Sequence, residues 1–342
     1  MTRVLIVTDA WHPQTNGVVH SLGAIGRELS RRGIDVRYLT PEPFWTMPVP
    51  TYPEIRLSLP PMGRVAAFIE EFDPDHVHIA TEGSLGLMAR LCCSGQGLAF
   101  TTSYHTRFPE YVAARVPLPA EWSYAYLRWF HSAAARTMVP TASVAEDLRR
   151  RGFERLALWS RGVDAKRFRP GTKSWFTDLP GPHLLYVGRV SVEKNLPAFL
   201  ALDVPGTRII VGDGPQVEYL RRRFPEAVFL GRRTGVELAE IYRSADVFVF
   251  PSRTDTFGNV MIEALASGVP VAAFPVAGPV DVITDPAAGT MNEDLGAAIA
   301  TALTLDRAAA RHLALSFTWE ASGDQFLSGL VPARTAERHR AA

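Results

Sequence analysis

Short apolar runs alternate with longer stretches of helical periodicity along most of the chain. The run Val4–Thr8 is apolar and β-branched, with polar residues on both sides, which predicts a buried parallel strand. Over Val18–Arg32 the apolar residues recur at helical spacing, and Gly33 ends the predicted helix. A strand, a loop and a helix in this order form the first half of a βαβ unit.

The same alternation continues to about residue 159 and predicts a doubly wound α/β domain. Its further strands are predicted at Val36–Thr40, Val77–Ile79, Ala99–Thr102, Met138–Pro140 and Leu156–Trp159. Its further helices are predicted at Arg64–Phe72, Ser84–Cys93, Trp122–Ala135 and Val144–Arg151.

A second α/β series follows an aperiodic segment, Val163–Thr177, which contains Pro170 and Gly171 and which we interpret as a linker. The strands of this series are predicted at Leu184–Val187, Arg208–Val211, Val228–Leu230, Val247–Phe250 and Val269–Phe274. Helices are expected between them. Residues beyond Pro332 carry little apolar content and are expected to fray.

The fold class expected is α/β, with two consecutive Rossmann-like domains over residues 1–165 and 166–318. A chain of 342 residues suits two domains of ~150 residues each. Sheets of this kind bind ligands at the carboxyl ends of their strands. Two facing domains would therefore place a ligand in the cleft between them, and the loops that follow the strands carry the functional argument.

Composition and charge exclude several classes of protein. The 47% hydrophobic and 21% charged residues are ordinary for a globular protein, and a net charge of +1 does not favour nucleic acid as a partner. The cysteines, Cys92 and Cys93, are adjacent in a predicted helix, where disulfide geometry is hard to reach, so we expect a reducing cytosol. Without a signal-peptide pattern or an apolar run of ~18 to 20 residues, we expect a cytoplasmic protein, at most peripheral on a membrane.

The segment 251–268 follows a predicted strand and leads into a helix. Backbone N–H groups and the positive end of the dipole at a helix start favour an anion such as a diphosphate, and the residues there are Thr256, Phe257, Gly258 and Asn259. Asp255 lies just before this start and Glu263 about one turn inside, so both carboxylates can hold hydroxyls of a sugar and a ribose. Alternatively, Asp255 or Thr256 caps the helix and Glu263 is a solvated side chain.

The segment 187–195 also follows a predicted strand. Gly188 allows a turn, and Arg189 and Lys194 place two cations near the strand end, which suits a diphosphate whose charge grows as it leaves. An exposed ion pair of Glu193 with one of these cations is the alternative.

Three further loops contribute candidates. Asn16 and Gly17 stand at a helix start, where glycine lets the backbone approach a phosphate closely. His105 follows the strand at Ala99–Thr102 and titrates near neutral pH, so it can exchange a proton there, or it can be a histidine satisfied by local hydrogen bonds. Arg232 follows another strand, where the backbone can read a nucleobase edge or can form an ordinary turn.

Together these loops resemble the retaining glycosyltransferase family 4, which has the two-domain GT-B fold. The resemblance covers nearly the whole chain, up to a helix at Trp319 that in the family crosses back onto the first domain, so residues 319–342 would form this helix and a tail. The family's E-x7-E motif is matched by Asp255 and Glu263. The resemblance implies that Glu263 binds the ribose and Asp255 the donor sugar.

By the same resemblance Arg189 and Lys194 bind the diphosphate, Gly17 binds its oxygens through the backbone, and His105 lies near the transferred sugar. It also implies a nucleotide-diphosphate sugar as donor, retention of configuration, no cofactor and no metal. Two departures leave the donor sugar open: Asp255 is one methylene shorter than the family's glutamate, and Asn16 stands where many members have glycine.

The acceptor is suggested by the stretch 104–130. Tyr104–Tyr111 is similar to bacterial transferases that act on diacylglycerol and to GDP-mannose-dependent mannosyltransferases. Apolar, aromatic and arginine residues mix further along, which suits a membrane interface, although the aromatics can equally be core. These residues are Val112, Val116, Leu118, Trp122, Tyr126, Leu127 and Trp129, with Arg107, Arg115 and Arg128.

The leading hypothesis is therefore transfer of a hexose from UDP-glucose, UDP-glucuronate or GDP-mannose to a hydroxyl of a membrane lipid such as diacylglycerol. One alternative is a GDP-mannose-dependent mannosyltransferase acting on a glycan. Others are an epimerase or phosphorylase of the same architecture, and a non-catalytic nucleotide-sugar-binding protein. The sequence leaves the linkage and the oligomeric state open.

Overall fold

The chain forms two α/β units. A computed structural model describes residues 1–14, 16–49, 52–113 and 119–334. The first unit combines Met1–Ser160 with the chain from Trp319 onward, and the second is Arg161–Thr318.

The first unit is built on a sheet of six parallel strands in the order β2-β1-β5-β6-β7-β8. The strands of the unit are β1 Arg3–Val7, β2 Asp35–Leu39, β3 Thr46–Val49, β4 Tyr52–Ser58, β5 His76–Ile79, β6 Thr101–Ser103, β7 Arg136–Val139 and β8 Leu156–Leu158. The helices before residue 160 are α1 Gly17–Arg31, α2 Met62–Phe72, α3 Ser84–Gln96, α4 Phe108–Ala113, α5 Ala120–Ser132 and α6 Ala142–Arg150.

The predicted parallel strands and helices of this unit are confirmed, with ends that shift by a few residues. Three elements of this unit were not predicted. The strands β3 and β4 form a separate antiparallel pair, and α4 follows β6. Both regions contain proline, which interrupts the periodicity on which the prediction relied.

The second unit has a sheet of six parallel strands in the order β11-β10-β9-β12-β13-β14. Its strands are β9 His183–Val187, β10 Thr207–Val211, β11 Val228–Gly231, β12 Val247–Phe250, β13 Val271–Ala273 and β14 Gly289–Met291. Its helices are α7 Leu196–Leu200, α8 Val217–Arg223, α9 Gly235–Ser244, α10 Asn259–Ala266, α11 Pro279–Val282, α12 Leu295–Ala302 and α13 Arg307–Ala314.

The segment Val163–Thr177, which we interpreted from the sequence as a linker, packs into the second unit, so that interpretation was wrong. It has no helix or strand, but Val163, Phe168 and Phe176 are buried in the core of the second unit. The guanidinium of Arg311 donates hydrogen bonds to the carbonyl oxygens of Ala165, at 2.9 Å, and Phe168, at 2.8 Å. The segment therefore packs as part of this unit.

The helix α14, Trp319–Gly329, belongs to the first unit although it follows the second in sequence. Its Phe326 is fully buried, with its ring 4.8 Å from that of Trp159. The indole N–H of Trp159 donates to the hydroxyl of Ser322 at 3.1 Å. Phe326 of α14 thus completes a core that also contains Val4 and Ile6 of β1.

Both cysteines of α3 are free and buried. Among the residues that the structure describes, no helix combines the length and the apolar character required to cross a bilayer.

Each sheet has one point at which the direction of winding reverses. In the first sheet it lies between β1 and β5, and in the second between β9 and β12. Loops that leave neighbouring strands at such a point diverge and leave room for a ligand outside the carboxyl ends. The loops after β9 and β12 carry Lys194 and Asp255, which the sequence predicted for the donor site.

Candidate functional site

The loops after β9 and β12 lie side by side and are tied together. The two strands pair in parallel, so both loops leave the same edge of the sheet. The amide of Asn195 donates to the carbonyl oxygen of Pro251 at 3.1 Å, and the hydroxyl of Ser252 donates to that of Glu193 at 3.3 Å. Two loops that are about sixty residues apart in sequence thus form one surface.

Lys194 and Asp255 meet on this surface. The ammonium Nζ lies 2.5 Å from the carboxylate Oδ2, and both side chains are largely buried, with 18% and 16% of their surface exposed. Neither Asp255 nor Thr256 is therefore the helix cap of the alternative interpretation, because the residue at the N-cap of α10 is Gly258, at φ 85°. The ion pair holds a cation beside the start of that helix.

Close backbone packing fixes the turn that carries Arg189. A Cβ on Gly212 would lie 1.8 Å from the carbonyl oxygen of Gly188, so only glycine fits after β10. A Cβ on Gly188, at φ 153°, would lie 2.7 Å from the hydroxyl of Tyr186, which donates to the carbonyl oxygen of Arg189 at 2.7 Å. The glycines are thus required by the close approach of two strand-end loops.

Glu263 lies one turn inside α10 and is held by a neighbouring helix. The hydroxyl of Tyr242 on α9 donates to Oε2 of Glu263 at 3.0 Å. Burial raises the pKa of Glu263 to about 7, while the hydrogen bond from Tyr242 and the charge of Arg167 act in the opposite direction. Glu263 is thus not an ordinary solvated helix residue, because its charge state changes near neutral pH.

The start of α10 supplies backbone groups rather than side chains. The side chain of Phe257 is buried in the core, with its ring 6.0 Å from that of Phe317, so this residue can meet a ligand only through its backbone. Thr256 is also buried. Gly258 has no side chain to accept from the first amides of the helix, and Asn259 is the first helical residue. An anionic ligand oxygen can take the acceptor role here.

Arg232 is exposed and follows the edge strand β11, two strands away from β9. It stands on the same edge of the sheet as Lys194 but at some distance along it. Its predicted contact with a nucleobase stays a prediction.

In the first unit the predicted residues are dispersed along the carboxyl edge of the sheet. The side-chain oxygen of Asn16 accepts from the backbone N–H groups of Val18 and Val19, both at 3.0 Å, so it caps α1, which begins at Gly17. His105 follows β6, and its ring packs edge-on against Trp159 at 5.5 Å. The roles of Gly17 and His105, and a donor site between the two units, stay predictions.

The stretch suggested for the acceptor divides between core and surface. On α5 the side chains of Leu127 and Phe130 are buried, whereas Trp122, Tyr126 and Trp129 are exposed. Arg107 is engaged by Glu110 and Asp147. Four more members of that stretch lie outside the side chains that the structure describes: Val112, Arg115, Val116 and Leu118.

Sequence reasoning missed three residues that shape these loops. Tyr242 on α9 donates a hydrogen bond to Glu263 on α10. Asn195, at φ 54°, bridges the loops after β9 and β12. Asp9, directly after β1, accepts at Oδ1 from the amide of Leu85 at 2.8 Å and at Oδ2 from that of Gly86 at 3.1 Å. Of the three, only Asp9 could have been found from the sequence, since it directly follows the first predicted strand and the carboxyl ends of such strands are where ligand-binding loops begin.

Two family models match the chain, one on each half. The model described as Glycosyltransferase Family 4 matches residues 15–167, and the model described as Glycosyl transferases group 1 matches residues 181–305.

Curated relatives match over most of the chain. A GDP-mannose-dependent alpha-mannosyltransferase of Mycobacterium tuberculosis is 34% identical, over 82% of this chain and 81% of its own length. The sulfoquinovosyl transferase SQD2 of Arabidopsis thaliana is 34% identical over 70% of this chain and 50% of its own length. An alpha-monoglucosyldiacylglycerol synthase of Streptococcus pneumoniae is 24% identical over 95% of this chain and 83% of its own.

Solved structures show the same fold. The sucrose-phosphate synthase of Thermosynechococcus elongatus superposes with a TM-score of 0.75 at 20% identity, over 96% of this chain and 98% of that one. Anabaena Alr3699/HepE in complex with UDP-glucose superposes with a TM-score of 0.71 at 16% identity, over 96% and 99% of the two chains. At these identities the likeness concerns the fold alone.

Proposed function

Because the chain belongs to glycosyltransferase family 4 and is an enzyme that uses a nucleotide sugar, we propose that it transfers mannose from GDP-mannose to a hydroxyl of a membrane lipid, with retention of configuration. The observation that carries this proposal is the Lys194–Asp255 pair beside the start of α10, with Glu263 one turn further in. The arrangement offers a cation and a helix start for a diphosphate, and two carboxylates for hydroxyls.

The site stabilises a leaving group. As the bond between the sugar's anomeric carbon and the diphosphate oxygen breaks, negative charge grows on the diphosphate, and Lys194, Arg189 and the start of α10 offset it. The acceptor hydroxyl attacks from the face that the diphosphate leaves, and its proton passes to the departing phosphate oxygen. Attack from this face retains the configuration.

GDP-mannose is favoured among the donors by the relatives. Three GDP-mannose-dependent alpha-mannosyltransferases are 30 to 34% identical to this chain over 82 to 95% of it. Incubation of the protein with GDP-mannose, UDP-glucose and UDP-glucuronate in turn, with a lipid extract as acceptor, tests the choice. We expect labelled product from GDP-mannose; product from a uridine nucleotide alone would contradict the donor, and conversion of the donor without any acceptor would indicate an epimerase.

We propose that the reaction needs no metal, because the chain itself supplies cations and a helix start for the diphosphate. Activity should persist after dialysis against EDTA. Loss of activity that magnesium restores would contradict this part of the proposal.

The lipid acceptor is supported by one face of α5. Trp122, Tyr126 and Trp129 stand at spacings of four and three residues, so they share a side of the helix, and 72%, 37% and 47% of their surfaces are exposed. The guanidinium of Arg90 lies 3.9 Å from the ring of Trp129. Arg90 is buried and holds Trp129 in place, and exposed aromatic side chains with a polar tip suit the boundary between headgroups and water.

Sedimentation with vesicles of phosphatidylcholine and phosphatidylglycerol tests this face. We expect the double variant Trp122→Ala, Trp129→Ala to lose most vesicle binding while its donor hydrolysis in solution is unchanged. Tyr219→Ala is the matched control, since Tyr219 is an aromatic of the second unit with 55% exposure. Equal binding of wild type and the double variant would contradict a membrane contact of α5.

A further inference from the structure

We propose that a pocket on the first unit binds one hexopyranosyl ring of the acceptor, so that the acceptor already carries a sugar. The inference rests on the proposed function and specifies its acceptor. The pocket, called the ring pocket below, lies between the loop after β1, the loop after β2 and the hairpin β3–β4. Its main lining residues are Trp11, His12, Gln14, Glu42, Phe44 and Arg56.

The walls of the ring pocket are held in place by contacts behind them. The ring of Trp11 packs on that of Tyr38, with centroids 4.4 Å apart and planes inclined by 32°. On the hairpin side, Arg56 donates from Nε to the hydroxyl of Thr46 at 2.6 Å and from Nη2 to its carbonyl oxygen at 2.9 Å. The guanidinium of Arg64 lies 5.3 Å from the ring of Phe44. Walls fixed in this way do not need to be ordered by the ligand, which lowers the cost of binding.

The chemistry of the lining fits a neutral sugar ring. A hexopyranose presents an apolar C–H face and a rim of hydroxyls, and the pocket is lined by the aromatic Trp11 and Phe44 next to the polar Gln14 and Glu42. Glu42 and Arg56 carry opposite charges, so the lining does not favour a phosphate or a carboxylate. Its volume of about 160 Å³ is below the ~300 to 1,000 Å³ of sites for drug-sized ligands, so one ring fits at a time.

The position of the ring pocket fits an acceptor site. Parallel strands end at the same edge, so the loops after β1 and β2 share the edge from which His105 follows β6. β6 lies two strands from β1, which is ~10 Å at the usual strand spacing. A molecule with one sugar ring in the pocket can therefore place a second hydroxyl-bearing part near His105.

Direct binding is the first test, and it does not depend on catalysis. Methyl α-D-mannopyranoside and methyl α-D-glucopyranoside are titrated into the whole protein and followed by saturation-transfer NMR. We expect Phe44→Ala to weaken binding about tenfold, which corresponds to the loss of ~1.4 kcal/mol from one aromatic wall. Trp45→Ala is the matched control, because Trp45 is 65% exposed and adjacent in sequence to Phe44 but does not line the pocket.

Because Phe44 is half-buried, the exposed His12, whose ring lies edge-on to Trp11 at 5.3 Å, supplies a second variant, His12→Ala, that removes no buried side chain. Equal affinity of wild type, Phe44→Ala and His12→Ala for both glycosides, or no binding to wild type at concentrations up to 100-fold above those of the protein, would overturn the ring pocket.

The second test identifies the source of the ring. Transfer is compared on diacylglycerol, on glucosyl-diacylglycerol and on a water-soluble maltose glycoside. We expect Phe44→Ala to raise KM about tenfold for the glycosylated acceptors and to leave KM for the donor unchanged. A preference for the glycolipid indicates a lipid headgroup, and equal use of the soluble glycoside indicates a free glycan.

An equal rise of KM for diacylglycerol itself would overturn the proposal, because the pocket would then not act through a sugar. If no acceptor is used while donor hydrolysis continues, the proposed lipid acceptor fails, and the glycoside titration alone decides the ring pocket.

Discussion

Each of the two sheets has a point at which its winding reverses, but the two units differ in which group binds the backbone amides at the helix start beside that point. In the first unit, Asp9 after β1 accepts hydrogen bonds from the amides of Leu85 and Gly86 at the start of α3. Its carboxylate also accepts from the hydroxyl of Thr81 at 2.9 Å, and burial raises its pKa. The chain thus supplies its own anion to this helix start.

In the second unit the equivalent helix start has Gly258 in place of a capping side chain, and the nearby Asp255 is paired with Lys194 instead. The carboxylate is held away from the helix by a cation that itself suits a diphosphate. The start of α3 is therefore occupied by the chain's own carboxylate, whereas the start of α10 has no side-chain cap and is where we propose that the diphosphate binds. The two sheets share their topology, so the difference between the two helix starts comes from the partner of one acidic residue in each unit. Asp9 binds the amides of α3, whereas Asp255 pairs with Lys194.

The largest effect is expected from Lys194→Ala. Loss of the cation should lower kcat about 10² to 10³-fold, since a donor that stabilises developing charge is worth this much, while the fold is kept. Steady-state kinetics on the proposed donor, with circular dichroism as the check on folding, measures it. Arg253→Ala is the control, because Arg253 lies in the same loop as Asp255 but pairs with Glu293 at 3.0 Å. Equal losses in both variants would mean that any charge change in this loop acts alike.

Gly212→Ala should act next most strongly, on the edge of the second unit. The new Cβ meets the carbonyl oxygen of Gly188, so strain and displacement should lower the free energy of unfolding by about 3 kcal/mol. Gly235→Ala should cost only about 1 kcal/mol, because Gly235 has φ 63° but no atom within 4 Å of an added Cβ. Urea unfolding measures both; equal costs would show that backbone conformation alone matters.

Asp9→Ala tests the first unit, where the carboxylate of Asp9 binds the amides at the start of α3. The amides of Leu85 and Gly86 would lose their partner, so the free energy of unfolding should fall by about 2 kcal/mol. The KM for the donor should stay the same, because Asp9 already binds the amides at the start of α3, so we do not expect them to bind the donor. A matched capping change, Asp294→Ala at the start of α12, should cost about 1 kcal/mol. A clear rise in donor KM for Asp9→Ala alone would contradict the contrast between the two edges.

The smallest effect concerns pH. Glu263 accepts hydroxyl hydrogen bonds best as a carboxylate, so donor KM should fall as pH rises through its pKa of about 7. Because the hydrogen bond from Tyr242 lowers that pKa, Tyr242→Phe should move the profile to higher pH by an amount worth ~1 kcal/mol or less. Glu263→Gln should remove the dependence. A profile that is unchanged in Glu263→Gln would assign the titration to another group.

Much of the fold could be predicted, because parallel strands that are buried on both faces are written as short apolar runs. β9 and β12 are of this kind, with burial throughout their central residues. β14 was not predicted, since Gly289–Met291 is three residues long and contains no apolar run. The hairpin β3–β4 was hidden by Pro48 and Pro53, which argue against strands in a sequence taken alone.

The site could be predicted residue by residue but not contact by contact. The sequence placed Lys194 and Asp255 after strands, yet their pairing depends on β9 and β12 being neighbours, which only the strand order shows. Phe257 was predicted among the ligand-binding residues, but its side chain is in the core. The sequence alone does not show whether an aromatic side chain next to a helix start points to a ligand or to the core. The support of Glu263 by Tyr242 joins two helices and left no local signal.

The return of α14 to the first unit sets an order of events during synthesis on the ribosome. The second unit is one continuous stretch, Arg161–Thr318, so its core residues emerge from the exit tunnel in one run, with no part of the first unit between them. The first unit begins earlier but lacks Phe326, which packs against Trp159, until the whole second unit has been translated. The half that is made first is therefore the half that is completed last, and its exposed apolar surface is what a chaperone would meet in the nascent chain.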